Sequence, residues 1–226
     1  GALDEVVVGG AVGARPALAV AIGGAVDDVR VDRDHVGVVE AEAGDGGGAH
    51  AVQEDYMNAI QEVVPTPPNI TLQEKMTLFQ VVADGSREIQ LLHFGRAHTG
   101  GDVVIYLPQE KVAFTGDMML PGLAYMGDGH VDEWPVSLEG LKALDFDAWL
   151  PGHGPIMRSK QPIENFQAYL RDLWDKTAVM HSRGADWEQA SREIDMSNHA
   201  DNYAQIRGPG IDPRAIRRIY QLLDER

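Results

Sequence analysis

Cysteine is absent from all 226 residues. That absence excludes disulfides, thiolate nucleophiles and cysteine ligands, so any metal this chain holds is held by nitrogen and oxygen. Basic residues are scarce: 19 Lys and Arg stand against 35 Asp and Glu, for a net charge of −16. A balance so acidic argues against nucleic acid or an anionic membrane surface as partner and points to a small-molecule substrate. No stretch approaches the roughly 18 consecutive apolar residues of a membrane span. The best leader-like segment, Ala17 to Val26, lacks a basic flank and follows Asp4 and Glu5. A soluble protein is expected; the compartment stays open, with the cytoplasm favoured.

Residues 1–55 lack aromatics, Lys, Ser, Thr, Asn and Met altogether, and 45 of these 55 positions are Gly, Ala, Val, Asp or Glu. All five amino acids have codons beginning with G. Two origins fit such a bias: GC-rich DNA translated out of frame, or a low-complexity Gly/Ala/Val segment with buried strands at Glu5 to Val8 and His35 to Val39. The acidic residues of 24–55 read as solvated charge. From residue 56 onward the composition is that of an ordinary globular domain, and the 44% hydrophobic content of the chain is enough for one packed core.

Within that second segment the hydrophobic pattern predicts strands at Ile70 to Leu72, Met76 to Val82, Glu88 to Phe94, Val103 to Leu107, Val112 to Thr115 and Ala148 to Leu150. A tight hairpin turn is expected at Asp84-Gly85. Helices are expected at Leu138 to Leu144 and at Pro162 to Ser182, closed by Gly184. Two more follow, at Asp186 to Asp195 behind an Asp-x-x-Gln cap, and from Asp212-Pro213 to about Asp224. Strands give way to helices in βαβ fashion, and the helices should cover a sheet.

Three short runs fall where predicted strands end: Ala97-His98-Thr99-Gly100-Gly101-Asp102, Phe114-Thr115-Gly116-Asp117 and Pro151-Gly152-His153-Gly154-Pro155. Each offers an imidazole or a carboxylate flanked by glycines, which let the backbone turn sharply enough to aim the ligand at a shared point. Singly, such runs read as plain turn chemistry, an Asx turn at Asp117 or a strand-end cap at His98. In this order they resemble the second half of a metallo-β-lactamase-fold hydrolase, whose His-Thr-x-Gly-Asp, Thr-Gly-Asp and Pro-Gly-His-Gly segments all find a counterpart between about Asn69 and Pro155.

The resemblance implies an α/β fold, a four-layer αββα sandwich that is atypical at its N-terminal side, with residues 56–226 as the recognisable part. It implies that His98 completes a three-histidine zinc site, that Asp117 bridges two metals and that His153 belongs to the second site. One or two zinc ions would then generate a hydroxide near neutral pH and aim it at an ester, thioester, lactam or related bond. The chain departs from the family upstream. No His-x-His-x-Asp-His run occurs anywhere, and the nearest approach, Arg30-Val31-Asp32-Arg33-Asp34-His35, puts a permanently cationic arginine where a ligand should stand. Hence a second expectation stands beside the first: a catalytically incomplete member with an impaired metal site.

The remaining histidines read differently. His93 lies inside a predicted strand and is expected to pack, while His181 and His199 fall in or near the C-terminal helices and are expected to serve no metal. His130, with Met119, Leu120 and Tyr125, lies in a Gly- and Met-rich loop resembling the family's variable substrate-facing loop, where a solvated residue or a substrate contact are the alternatives. Trp134, Trp149 and Trp174 stand beside apolar residues at strand or helix spacing and read as packing.

Overall fold

The computed structural model describes residues 6–9, 19–22, 70–83 and 85–226. Its main sheet has five strands in sequence order: β4 (Lys75–Val82), β5 (Gly85–Leu92), β6 (Val104–Leu107), β7 (Val112–Gly116) and β8 (Ala148–Pro151). The first four pair antiparallel and β8 joins β7 in parallel. A parallel neighbour requires a crossover, and α1 (Trp134–Ala143) lies in the connection. A second sheet has the order β2 (Ala19–Ile22), β1 (Val6–Gly9), β3 (Ile70–Leu72). The expected composition boundary at 55/56, the strand His35 to Val39 and the run Arg30 to His35 all lie outside the described residues.

Alternation along the strands sends side chains to two faces. Leu92, Val104, Ala113 and Trp149 point to the helices and join one large buried cluster. Leu91 points the other way, where it meets Leu72 of β3 with Met76, Ile89, Val103 and Ile105 packed around them. Among the described residues the sheet therefore has helices on one face and the strand β3 on the other, the mixed α/β architecture that was expected.

Strand boundaries follow the hydrophobic pattern to within a residue or two except at β5, which starts three residues before the expected Glu88. Val82 pairs with Gly85, so the hairpin turns between them and Gly85 opens β5 with φ of +138°, a conformation that suits glycine. The expected turn at Asp84-Gly85 sits one residue too late, and Asp84 itself lies outside the described residues. His93 follows β5 rather than lying within it, and donates Nδ1–H to the Asp102 carbonyl at 3.0 Å.

The helices carry their predicted caps. Helix α2 (Gln161–Ser182) ends at Arg183, and Gly184 with φ of +77° lets Ala185 N–H return to the Met180 carbonyl. Helix α3 (Trp187–Glu193) begins behind Asp186, whose carboxylate accepts from Gln189 N–H at 2.6 Å. Helix α4 (Pro213–Asp224) begins behind Asp212, which accepts from Arg214 N–H at 2.9 Å. Helix α1 departs from expectation by starting four residues earlier than Leu138, because Pro135 occupies its first turn and Trp134 and Leu138 share a buried side.

Trp134, Phe166 and Tyr169 stack across α1 and α2, with Trp134 and Phe166 edge to face at 5.2 Å. Trp149 is buried, while Trp174 is partly buried under the Arg226 guanidinium, 4.7 Å from its ring centroid. Since Phe166 is fully buried in this aromatic row, Phe166→Ala is expected to lower the unfolding free energy by about 3–5 kcal/mol, measured as a shift of the urea transition at unchanged slope.

Candidate metal centre

Parallel pairing places the C-terminal ends of β7 and β8 side by side, and the loops leaving them carry Asp117 and His153. Two backbone features bring these side chains together. Gly116 holds φ of +52° and accepts Gly152 N–H at 2.9 Å, which clamps the two loop starts. Gly152 then leaves the space that Asp117 fills: a Cβ at position 152 would lie 2.2 Å from Asp117 Oδ1. The result is a contact of 2.9 Å between His153 Nδ1 and Asp117 Oδ1. An ionised carboxylate only accepts, so Nδ1 carries the proton and a neutral ring keeps its lone pair on Nε2. The Asp117 side chain is 19% exposed and that of His153 57%, so the pair opens to solvent and contributes little to stability.

Behind the pair the support is buried. The Thr115 hydroxyl donates to the Met119 carbonyl at 3.0 Å and lies 3.3 Å from the Leu150 carbonyl, tying β7, β8 and the following loop together. Trp134 Nε1–H donates to the Met118 carbonyl at 2.8 Å and so fixes the residue after Asp117.

His98 lies on the loop between β5 and β6. Its ring stands edge-on to Trp134 at 5.7 Å, so the indole that pins the Asp117 loop also carries His98. The loop is fastened twice more. Asp102, 8% exposed, accepts Thr99 N–H at 2.8 Å, and Ser137 Oγ–H donates to the Arg96 carbonyl at 2.8 Å. Burial raises the Asp102 carboxyl above its ordinary range, with the Thr99 bond and the charge of His98 pulling the other way. Arg96 also makes a bidentate ion pair with Glu133 at the start of α1.

Of the three sequence candidates, Asp117 and His153 meet directly, and His98 is joined to them through Trp134. Among the described residues no group of three or more His, Asp or Glu side chains is gathered closely enough to hold a metal ion. The donor types suit zinc, but a pair falls short of the three protein ligands of a catalytic zinc. The described half therefore fits part of such a site.

His130 is the histidine that sequence reasoning left open. Its N–H donates to the Ala97 carbonyl at 2.8 Å, and its ring comes within 3.8 Å of where a Cβ on Gly100 would stand, beside the His98 loop. Its Nδ1 is buried and finds no hydrogen-bond partner among the described residues. Burial first, then the cations Arg96 and Arg218, lower its pKa below the ordinary 6.5. His199 and His181 instead pair with Asp172 and Asp224, at 3.0 and 2.9 Å. Sequence reasoning missed the roles of Gly152, Asp102 and Arg96; Asp102 and Gly152 carried a signal as members of the His98 and His153 motifs, and Arg96 carried none.

Residues 8–178 match the family model described as the metallo-beta-lactamase superfamily. The alpha subunit of 2,4-dinitroanisole O-demethylase from Nocardioides sp. (strain JS1661) is 28% identical over 124 residues, which cover 54% of this chain and 34% of that protein. The type 2 metallo-beta-lactamase of Elizabethkingia meningoseptica is 25% identical over 103 residues, covering 43% and 35%. The chain thus spans about a third of the length of the curated relatives it matches. Among solved structures, the stereoselective inverting sec-alkylsulfatase Pisa1 from Pseudomonas sp. superposes with a TM-score of 0.52 over 69% of this chain and 26% of its own, at 20% identity, a likeness of fold alone. No helix among the described residues is long and apolar enough to cross a membrane.

Gly152→Ala is expected to drive Asp117 from His153, seen as loss of the hydrogen-bonded Nδ1–H signal of His153 by NMR, and to cost about 1–3 kcal/mol. A histidine whose folded pKa is depressed contributes stability that is lost as pH falls from 6.5 through its folded value. Accordingly His130→Gln should lose less stability than the parent between pH 7.5 and 5.5, compared by urea unfolding.

Proposed function

This chain belongs to the metallo-beta-lactamase superfamily, and from that membership we propose that it is a zinc-dependent hydrolase of a small-molecule ester, thioester, lactam or related bond. The observation that supports this reading best is the meeting of Asp117 and His153 at 2.9 Å, a carboxylate and an imidazole converging at the ends of two parallel strands. Asp117 and His153 would hold metal, with His98 as the third residue of this half. The relatives that are type 2 metallo-beta-lactamases lend the reading its hydrolytic direction.

Bound zinc would supply Lewis acidity and activation of water near neutral pH. The chain's own residues do the rest. The hydroxyl of Thr115 and the missing side chain of Gly152 fix Asp117; the indole of Trp134 holds both the Asp117 loop and the His98 ring. His153 must be neutral and Asp117 ionised to act as donors, so metal affinity should fall as pH drops.

A second reading rests on its own observation: the sequence has no His-x-His-x-Asp-His run, and the described residues gather no third donor at the pair. On that reading the chain keeps the fold and binds metal weakly or not at all. Elemental analysis of the purified chain after dialysis against trace zinc separates them. Close to two zinc per chain, falling by half or more in Asp117→Asn and His153→Ala, is expected for the hydrolase; zinc near zero in the parent chain overturns it in favour of the incomplete member.

A further inference from the structure

Beside the candidate centre lies a cavity of about 570 Å³, within the range of roughly 300–1,000 Å³ usual for small-molecule sites. Its wall combines the loop after Asp117, with Leu123 and Met126, Tyr169 of α2, and the segment before α4, with Ile206, Pro209 and Ile211. Close approaches join it to the centre. A Cβ on Gly154 would lie 2.7 Å from the Pro121 side chain, and one on Gly122 would lie 2.9 Å from Gln205 Nε2. Residues 121–122 are therefore wedged between the His153 turn and the cavity wall.

The charges at this cavity are unequal. Asp212 is spent on Arg214: its carboxylate accepts from Arg214 N–H at 2.9 Å, Nε at 3.1 Å and Nη2 at 2.9 Å, and burial opposes only part of the resulting downward shift of its pKa. The Arg214 guanidinium also covers the Tyr125 ring at 4.8 Å. Tyr169 is pushed up to about 12, chiefly by burial, so it faces the cavity as a neutral phenol. Arg207, by contrast, lines the cavity, is exposed, and has no ion-pair partner among the described residues. In a chain of net charge −16, a cation left over in the lining of a cavity walled by both apolar and polar side chains is a recognition element for an anion.

The wall is built rather than incidental. Gly208 and Gly210 hold φ of +139° and +114° around Pro209, and the far side of the turn is tied down by Gly210 N–H to the Ile194 carbonyl at 3.0 Å and Ile211 N–H to the Ser191 carbonyl at 2.8 Å. A wall so fixed loses little conformational freedom when a ligand enters.

We infer that this cavity binds an apolar-bodied monoanion, its hydrocarbon part against Leu123, Met126 and Ile211 and its carboxylate-like head on Arg207. As the pocket for the unreacted portion of a substrate it rests on the hydrolase reading; as a binding site it stands on the cavity alone. The test is titration calorimetry of the full chain, without added zinc, using octanoate as the anion and octan-1-ol as its neutral match. Octanoate should bind about tenfold more tightly than octanol. Arg207→Gln, at an exposed position, should remove that preference and leave octanol unchanged, while Leu123→Trp, which fills the cavity, should weaken both, with thermal melts verifying that each variant is folded. Equal affinity for the two probes, no binding of octanoate, octanoate binding untouched by Arg207→Gln, or octanoate binding untouched by Leu123→Trp would each overturn the inference. Because no zinc is present, the calorimetry can succeed where the zinc analysis fails, and the reverse.

Discussion

The His98 and Asp117 loops of the candidate centre both lean on one buried indole. Trp134 starts α1, meets Phe166 of α2 edge to face, offers its edge-on neighbour His98 a wall, and holds the Met118 carbonyl with its only N–H. A large aromatic with a single polar atom can do all four, because its faces pack while its N–H takes one partner. The geometry of the two loops is thus carried by the same contact that docks the crossover helix α1 on α2. Loop geometry and core packing are not separable here, and a change in either is felt by the other.

Much of this was legible in the chain itself. Short apolar runs bounded by turn residues mark strands β4 to β8, and the motif residues fall at strand ends as the pattern places them. Capping chemistry locates α3 and α4, since Asp186 and Asp212 bond the backbone they precede. What escaped is instructive. The start of α1 was placed too late because Trp134-Pro135 sits outside the run of apolar spacing, although proline in a first turn is itself a start signal. The hairpin was placed one residue too late because Gly85 draws attention as a turn residue, whereas its positive φ serves the first position of the following strand.

At the site, residue types were readable and proximity was not. Spacing along the chain says that Asp117 and His153 end neighbouring strands; it does not say that only glycine at 152 leaves room for their contact. Nor could it show that Asp102, part of the His98 motif, acts by accepting the Thr99 amide, or that Arg207 is the cation left without a carboxylate at the cavity while Arg214 is not. Such facts are relations between distant segments, and a single sequence encodes them without displaying them.

The pairing of Asp117 with His153 spans 36 positions and closes only once the intervening α1 has crossed over and β8 has added in parallel to β7. Parallel pairing of this kind closes a long loop, whose entropy must be met before the contact returns any stability. The contact therefore reports on the whole βαβ unit: its two halves arrive on strands that are neighbours only through the crossover, so whatever loosens β8 from β7 separates the pair as well.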